Sequence, residues 1–293
     1  MSTVKKDVKI DLSLEKINMK IAIISDIHGN LEALKSVLQD IKENSVDKII
    51  CLGDTIGKGV NSHACIELVR KYCDVVLMGN TDTRFCDDPK NFEDNEVEHS
   101  RIIFNQSLLT DNDREFLTSL TFSEEFYFSG YLIRLFHAHP TSCFKFINDY
   151  DKSFRDKYTM FEPSEHTKSN SVADIVIYGH LHYPFMQKLY NRTLICTGSV
   201  GNNICTIQND EMNASPNEAT SAHYVIITGE YDSRTHSAFS VETRSVPYNI
   251  QKELKSNVGI NPEYEAYENE LTLGRYRDMQ RIEQLYIDRG YEL

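Results

Sequence analysis

Five apolar runs, each halting at a turn crowded with metal-competent side chains, constrain this chain more than anything else in it. KIAIIS opens into SDIHGN with Asp26 and His28, DKIICL into GDTIG with Asp54, and DVVLM into GNTD with Asn80. YLIRLF opens into HAHP with His137 and His139, and DIVIYG into GHLH with His180 and His182. Short runs rich in β-branched and aliphatic residues, bounded by Gly and Asp, read as buried strands. Taken singly, a D-x-H is ordinarily a turn with a capping aspartate, and a lone buried histidine is ordinarily satisfied by its neighbours. Neither reading explains why the same grouping recurs directly after strand upon strand.

Between these runs lie amphipathic segments with helical spacing, LEALKSVLQDIKE and SHACIELVRKY among them, so the chain reads as α/β. A longer helical stretch follows over EVEHSRIIFNQSLL and DNDREFLTSL, with Asp111 as the expected N-cap. FSEEFYF and YLIRLF then flank Ser129-Gly130, the short turn of a hairpin. Residues 140–172 mix aromatics with Lys and Arg and read as a partly helical excursion over one face. The later runs FMQKLY, TLICTG, HYVIITG and HSAFSVETRSV add antiparallel strands, which suggests a pair of sheets rather than one doubly wound sheet. Residues 1–18 form an N-terminal extension whose Val8, Ile10, Leu12 and Leu14 alternate like an edge strand. Residues 19–246 form the main domain. Residues 247–293 form a helical C-terminal appendage on the same domain, its stripe of Tyr264, Tyr267, Leu271, Met279, Ile282 and Leu285 marking a packed or dimerising helix.

Charge and composition narrow the classes. Acidic residues outnumber basic ones 44 to 31, and a net charge of −13 opposes broad binding to nucleic acid or to anionic membrane. No run of apolar residues is long enough to span a bilayer, and the polar first residues lack the apolar core of a secretion signal. The seven cysteines include no C-x-x-C pair and several sit in apolar runs, the usage of reduced core thiols in a cytoplasmic protein.

In α/β proteins ligands bind beyond the carboxyl ends of the strands, so all five clusters can converge on one crevice. Two aspartates, an asparagine and four histidines exceed what one tetrahedral zinc needs and suit two divalent ions with positions left for water. With ions about 3.5–4 Å apart, one carboxylate must bridge them, and a hydroxide between them is acidic enough to attack a phosphorus near neutral pH.

In this order SDIHGN, GDTIG, GNTD, HAHP and GHLH resemble the signature of the calcineurin-like metallophosphoesterases, most closely their small bacterial and archaeal phosphodiesterase branch. The resemblance runs from Met19 to about Pro247 and takes in TGSVG and VETRSVPYN. It implies a four-layer αββα sandwich of two mixed sheets with the metal pair at one edge, residues 19–246 being the metallophosphoesterase domain. It also implies that one ion is held by Asp26, His28 and His182 and the other by Asn80, His137 and His180, with Asp54 bridging. Manganese is the first expectation for both ions, and relatives use iron, zinc or nickel.

Where the family commonly has G-N-H, this chain has Thr81, whose hydroxyl is too weak an acid to protonate a leaving group but can donate to a phosphate oxygen. Asp82 then lacks the histidine it would orient. His139, two residues from a ligand, is the candidate replacement acid, and Asn30, Thr81 and Asp82 are the candidate substrate contacts. The expected activity is hydrolysis of phosphodiesters, or of monoesters with acidic leaving groups, in a small or nucleotide-like substrate, with a homo-oligomer in view. The rivals are a protein serine/threonine phosphatase and a catalytically silent protein-binding scaffold on the same fold.

Overall fold

The computed structural model describes residues 18–149, 152–204 and 221–274, together with four positions between 284 and 290. The expected edge strand at residues 8–14, Cys205, most of the polar loop between residues 203 and 221, and Met279, Ile282 and Leu285 lie outside the described residues.

Two mixed five-stranded sheets make up the centre. The first has β10 (Ser240–Pro247), β9 (Ser221–Gly229), β1 (Met19–Ile24), β2 (Lys48–Cys51) and β3 (Val75–Val76) side by side. Its members β1, β2 and β3 run parallel, and β9 runs antiparallel to both β1 and β10. The second sheet has the order β4 (Ser123–Phe128), β5 (Tyr131–Phe136), β6 (Ile175–Tyr178), β8 (Arg192–Thr197) and β7 (Pro184–Leu189). There β5, β6 and β8 are parallel, while the β4/β5 and β7/β8 pairs are antiparallel.

Alternation along each strand places the four layers. On β1, Ile21 and Ile23 join Ile50, Leu135, Ile177, Ile195 and Val225 in a core between the sheets. Its alternate residues Ala22 and Ile24 face outward onto Leu34, Val37 and Ile41 of α1 (Leu31–Glu43) and Cys65 and Val69 of α2 (Ser62–Tyr72). On the second sheet Val176, Tyr178, Leu194 and Cys196 face Ile147, Met160, Phe161 and Ala173. The 140–172 excursion is therefore the outer cover of that sheet, and within it only Phe154–Thr159 is an α-helix among the described residues.

Local structure departs from expectation in three places. The helical stretch around residue 100 divides into Glu96–Ser107 and Asp111–Thr118, and Thr110 rather than Asp111 caps the second. The Thr110 hydroxyl oxygen accepts from the Asp113 amide, and the Asp113 carboxylate accepts from the Thr110 amide, so the side chain three residues on decides the cap. DVVLM yields only two strand residues before the chain bends, and HSAFSVETRSV joins the ladder only from Ser240, after Ser237 has donated its amide to Ser129. Six described cysteines are unpaired, and no described helix is long and apolar enough to cross a membrane.

Among the described residues two helices follow the last strand, Ile250–Asn257 and Tyr264–Leu273. Ile250, Leu254, Tyr267 and Leu271 form one apolar cluster between them, which accounts for the described part of the Tyr264–Leu271 stripe without a second copy of the chain.

Candidate metal centre

Because β1, β2 and β3 are parallel in one sheet and β5 and β6 are parallel in the other, the turns after them open along one edge of the sandwich. Backbone bonds lace these turns together. Asp26 donates to the Gly53 carbonyl at 3.0 Å, His28 to the Asp54 carbonyl at 2.9 Å, and Gly179 to the His137 carbonyl at 2.9 Å. The two sheets meet where His180 donates its amide to Asp26 Oδ2 at 2.9 Å.

The chain is bent hard at this edge. Asp26, His28, Asp54, His180 and His182 have φ of 56°, 52°, 53°, 65° and 70°, the left-handed region that non-glycine residues seldom occupy. Each such residue costs about 1–3 kcal/mol and persists where its surroundings over-determine it. In GHLH the two positive φ values turn both imidazoles to the same side, so the histidines one position apart avoid opposite faces. Glycine is needed beside them for close approach. A Cβ on Gly179 would stand 2.0 Å from Ser25 Oγ and 2.6 Å from Asp26 Oδ2.

The imidazoles share one orientation. His28 Nδ1 meets the carbonyl of Ile56 at 3.3 Å, His137 Nδ1 that of Leu52 at 3.1 Å, and His182 Nδ1 that of Asn202 at 2.6 Å. A carbonyl only accepts, so each Nδ1 carries the proton and each Nε2 presents a lone pair. His180 is likewise bonded to the Phe144 backbone, and its Nε2 is buried with no hydrogen-bond partner.

These lone pairs converge. His28 Nε2 and His182 Nε2 are 3.0 Å apart, and His137 Nε2 is 2.9 Å from Asn80 Oδ1. Asp26 Oδ1, a buried oxygen without a hydrogen-bond partner, is 3.4 Å from His182 Nε2 and 3.8 Å from His28 Nε2. Asp54 Oδ2 is 3.6 Å from both His28 Nε2 and His137 Nε2, between a histidine of each expected set. Ligands bonded to one cation at about 2.0–2.2 Å lie roughly 3.0–3.4 Å from one another. Acceptors facing acceptors at these separations repel, and a cation between them turns the repulsion into binding. The donor set therefore fits the divalent ions expected.

Two compact groups of possible ligands stand out among the described residues: Asp26, His28 and His182, and Asp26, Asp54 and His137. Asp26 is common to both, whereas the family resemblance implied Asp54 as the bridge. All seven expected ligands are buried, from 0% exposure at Asp26 to 9% at His180.

Electrostatics lead to the same need for positive charge. Burial disfavours ionisation of Asp26, but positive charge at the positions of His182 and then His137 outweighs burial and holds its carboxyl well below the usual range; a cation supplies that charge when the rings are neutral ligands. Burial, then the Asp26 charge, push Asp54 up, and burial with the Asp54 charge raise Asp82. Burial, followed by His182 and Lys58, keeps His28 far below its ordinary value, so it is neutral and fit to bind metal.

The residues expected to touch substrate are engaged within the chain. Asn30 caps α1 through the Ala33 amide at 3.1 Å and donates to the Gly201 carbonyl at 2.8 Å. The Thr81 hydroxyl donates to the Ile56 carbonyl at 3.0 Å, and its amide donates to Asp54 Oδ1 at 2.8 Å. Asp82 accepts from the amides of Asp54 at 2.7 Å, Thr55 at 3.0 Å, Gly79 at 3.1 Å and Ile56 at 3.4 Å. Together Thr81 and Asp82 aim Asp54. His139, 2% exposed, meets the hydroxyls of Thr141 at 2.8 Å and Thr159 at 2.9 Å, so both ring nitrogens are engaged. Phe146 of the excursion sets its ring edge against His180 with centroids 5.3 Å apart, walling that side of the site.

Sequence reasoning missed Lys58, Ser199 and Asn202. Ser199 Oγ donates to the Asp26 carbonyl at 2.7 Å and accepts the Asn202 amide at 2.8 Å, and Lys58 Nζ donates to Asn202 Oδ1 at 2.8 Å. The TGSVGNN run following β8 was the available signal.

Residues 19–211 match the family model of the calcineurin-like phosphoesterase superfamily domain. An uncharacterised protein of Methanocaldococcus jannaschii is 29% identical over 180 residues, 61% of this chain and 69% of that protein. A metallophosphoesterase from Sphaerobacter thermophilus superposes with a TM-score of 0.62 at 24% identity, covering 88% of this chain and 99% of that one. A hypothetical protein from Pyrococcus horikoshii gives 0.66 at 16% identity over 88% and 100% of the two chains. The two solved structures show the fold.

Proposed function

The chain belongs to the calcineurin-like phosphoesterase superfamily, and on that premise we propose that it is a dinuclear metal-dependent phosphoesterase. It hydrolyses phosphodiester or activated phosphomonoester bonds of a small, nucleotide-like substrate. The observation that carries the proposal is the convergence of Nε2 lone pairs on Asp26 and Asp54 at 3.4–3.8 Å, with Asp26 Oδ1 and His180 Nε2 buried and without partners.

Asp26, His28 and His182 would hold one ion and Asn80, His137 and His180 the other, with Asp54 between the sets. When bound, two divalent cations supply an acidified water and neutralise charge on the phosphoryl oxygens. The chain's own part is to keep that site rigid. Backbone carbonyls lock the tautomers of His28, His137 and His182, Asp82 gathers the amides around Asp54, and the Thr81 amide fixes one Asp54 oxygen so that the other faces His28 and His137.

Substrate preference follows from what is missing beside the ligands. The Thr81 proton is committed to the Ile56 carbonyl, so no imidazole protonates a departing alkoxide from that position. Esters whose leaving groups depart as stable anions are favoured. The test is turnover of bis-p-nitrophenyl phosphate, p-nitrophenyl phosphate and phosphoserine by manganese-loaded protein whose metal content has been measured. Diester cleavage that is lost in His137→Ala supports the proposal, and metal-loaded protein that cleaves none of the three refutes it.

A further inference from the structure

A carboxylate outside the matched region is tied to the metal centre through an asparagine. Glu270 lies on the helix Tyr264–Leu273, which follows Ile250–Asn257, well beyond residue 211 where the family match ends. It is fully buried, and its Oε2 accepts from Asn202 Nδ2 at 3.1 Å and from Lys58 Nζ at 3.2 Å. Lys58 Nζ also donates to Asn202 Oδ1, closing a triangle of Lys58, Asn202 and Glu270. Asn202 is the residue whose carbonyl, 2.6 Å from His182 Nδ1, fixes the tautomer of that histidine.

The same C-terminal segment holds the loop that follows the acceptor of His28. His28 Nδ1 donates to Ile56, at the head of the loop that continues through Gly57, Lys58 and Gly59. Asn261 donates to the Lys58 carbonyl at 2.7 Å, and the Val60 amide donates to Asn257 Oδ1 at 3.2 Å. Lys58 itself has φ of 59°, a bend these bonds hold in place. His28 and His182 are the two histidines whose Nε2 atoms stand 3.0 Å apart.

Burying a lysine and a glutamate together is a poor way to stabilise a fold, because desolvation offsets their attraction and apolar packing serves as well. Here the pair fixes the orientation of an asparagine that serves a histidine. We infer that Glu270 is a positioning residue for the ion held by Asp26, His28 and His182, and that the helices Ile250–Asn257 and Tyr264–Leu273 are an outer layer of that half of the metal centre. The inference rests on the proposed metal site. It assigns the C-terminal segment a selective effect on one ion, leaving the Asn80, His137 and His180 set unaffected.

The test is manganese binding to the full chain, followed through the electron paramagnetic resonance of unbound Mn2+. Wild type is compared with Glu270→Ala, Glu270→Gln and, as control, Asp40→Asn. Asp40 is a carboxylate in the last turn of α1 that likewise joins separate segments, bonded to Tyr224 and Arg244 but to neither Asn202 nor the Lys58 loop. The expected result is two sites in wild type, one of which weakens about 10–100-fold in Glu270→Ala, the usual effect of losing a partner behind a metal ligand. Glu270→Gln keeps an acceptor for Asn202, folds where the alanine variant fails, and weakens the same site less. Asp40→Asn binds both ions as wild type does.

A second readout needs no metal. The 15N spectrum of His182 shows protonated Nδ1 in wild type and a mixture of tautomers in both Glu270 variants. Equal affinities and unchanged tautomers in the Glu270 variants overturn the inference, as does equal weakening of both sites or weakening in Asp40→Asn. A wild type that binds no manganese overturns the metal site itself, a distinct outcome.

Discussion

Replacing Asp82 with asparagine separates two roles for this residue, as a substrate contact or as the clamp on the Asp54 turn. Its carboxylate accepts three amides at 2.7, 3.0 and 3.1 Å and a fourth at 3.4 Å, and it is 1% exposed. An asparagine keeps one acceptor oxygen. Its better orientation retains Asp54 and Gly79 and turns an NH2 group toward Thr55 and Ile56. Stranding the Thr55 amide costs about 1–3 kcal/mol, and exchanging charged for neutral bonds at the other two costs about 0.5–1 kcal/mol each. Removing a charge beside Asp54 returns about 1 kcal/mol, the equivalent of nearly one pKa unit. The net expectation is a loss of about 1–4 kcal/mol, more in Asp82→Ala, where no oxygen remains. Urea denaturation of the metal-free protein reads the loss as a lower midpoint at unchanged slope. Manganese affinity should fall about tenfold as well, because the Asp54 turn loosens. If Asp82→Asn leaves the denaturation midpoint and metal affinity intact and raises only KM, the clamp reasoning is wrong and Asp82 touches substrate.

Three other substitutions have definite outcomes. Gly79→Ala places a Cβ 2.2 Å from Asp54 Oδ1 and 2.3 Å from the Asp54 amide with no φ strain of its own, so Asp54 must withdraw. Calorimetric titration should show manganese affinity at least tenfold lower. In the metal-free protein, Asp54→Asn should become more stable than wild type as pH rises. The raised pKa of Asp54 means the folded wild type keeps a proton that the unfolded chain loses, a penalty absent below the ordinary carboxylate value and growing above it. The gain should be on the order of 1–3 kcal/mol in thermal or urea unfolding, with activity abolished, and a stability difference that ignores pH contradicts the assignment. Thr81→His should raise turnover of alkyl phosphomonoesters relative to diesters, and an unchanged ratio counts against the leaving-group argument.

The parts legible in the sequence are those where a local pattern carries the physics. Period-two alternation in MKIAII separates Ile21 and Ile23 from Ala22 and Ile24, and that alone distinguishes the core between the sheets from the core under α1 and α2. Metal-competent groups directly after buried strands made all seven candidate ligands visible, and parallel strand direction brings them to one edge. The bonds that engage Asn30, Thr81 and Asp82 within the chain were not legible, since a polar residue beside a ligand looks the same in sequence whether or not it also meets a backbone amide. The Thr110 cap was missed because Thr110 and Asp111 are both good caps, and the Asp113 carboxylate chooses between them. The triangle of Lys58, Asn202 and Glu270 joins residues 144, 68 and 212 positions apart, and no local pattern encodes such pairing.

The central claim is that seven buried side chains bind two cations on either side of Asp54. A crystal structure of manganese-soaked protein, with anomalous scattering recorded at the manganese edge, tests it most directly. The account predicts two anomalous peaks about 3.5–4 Å apart, one against His28 and His182 and the other against Asn80, His137 and His180. A single peak, or manganese bound elsewhere on the molecule with Asp54 untouched, contradicts it.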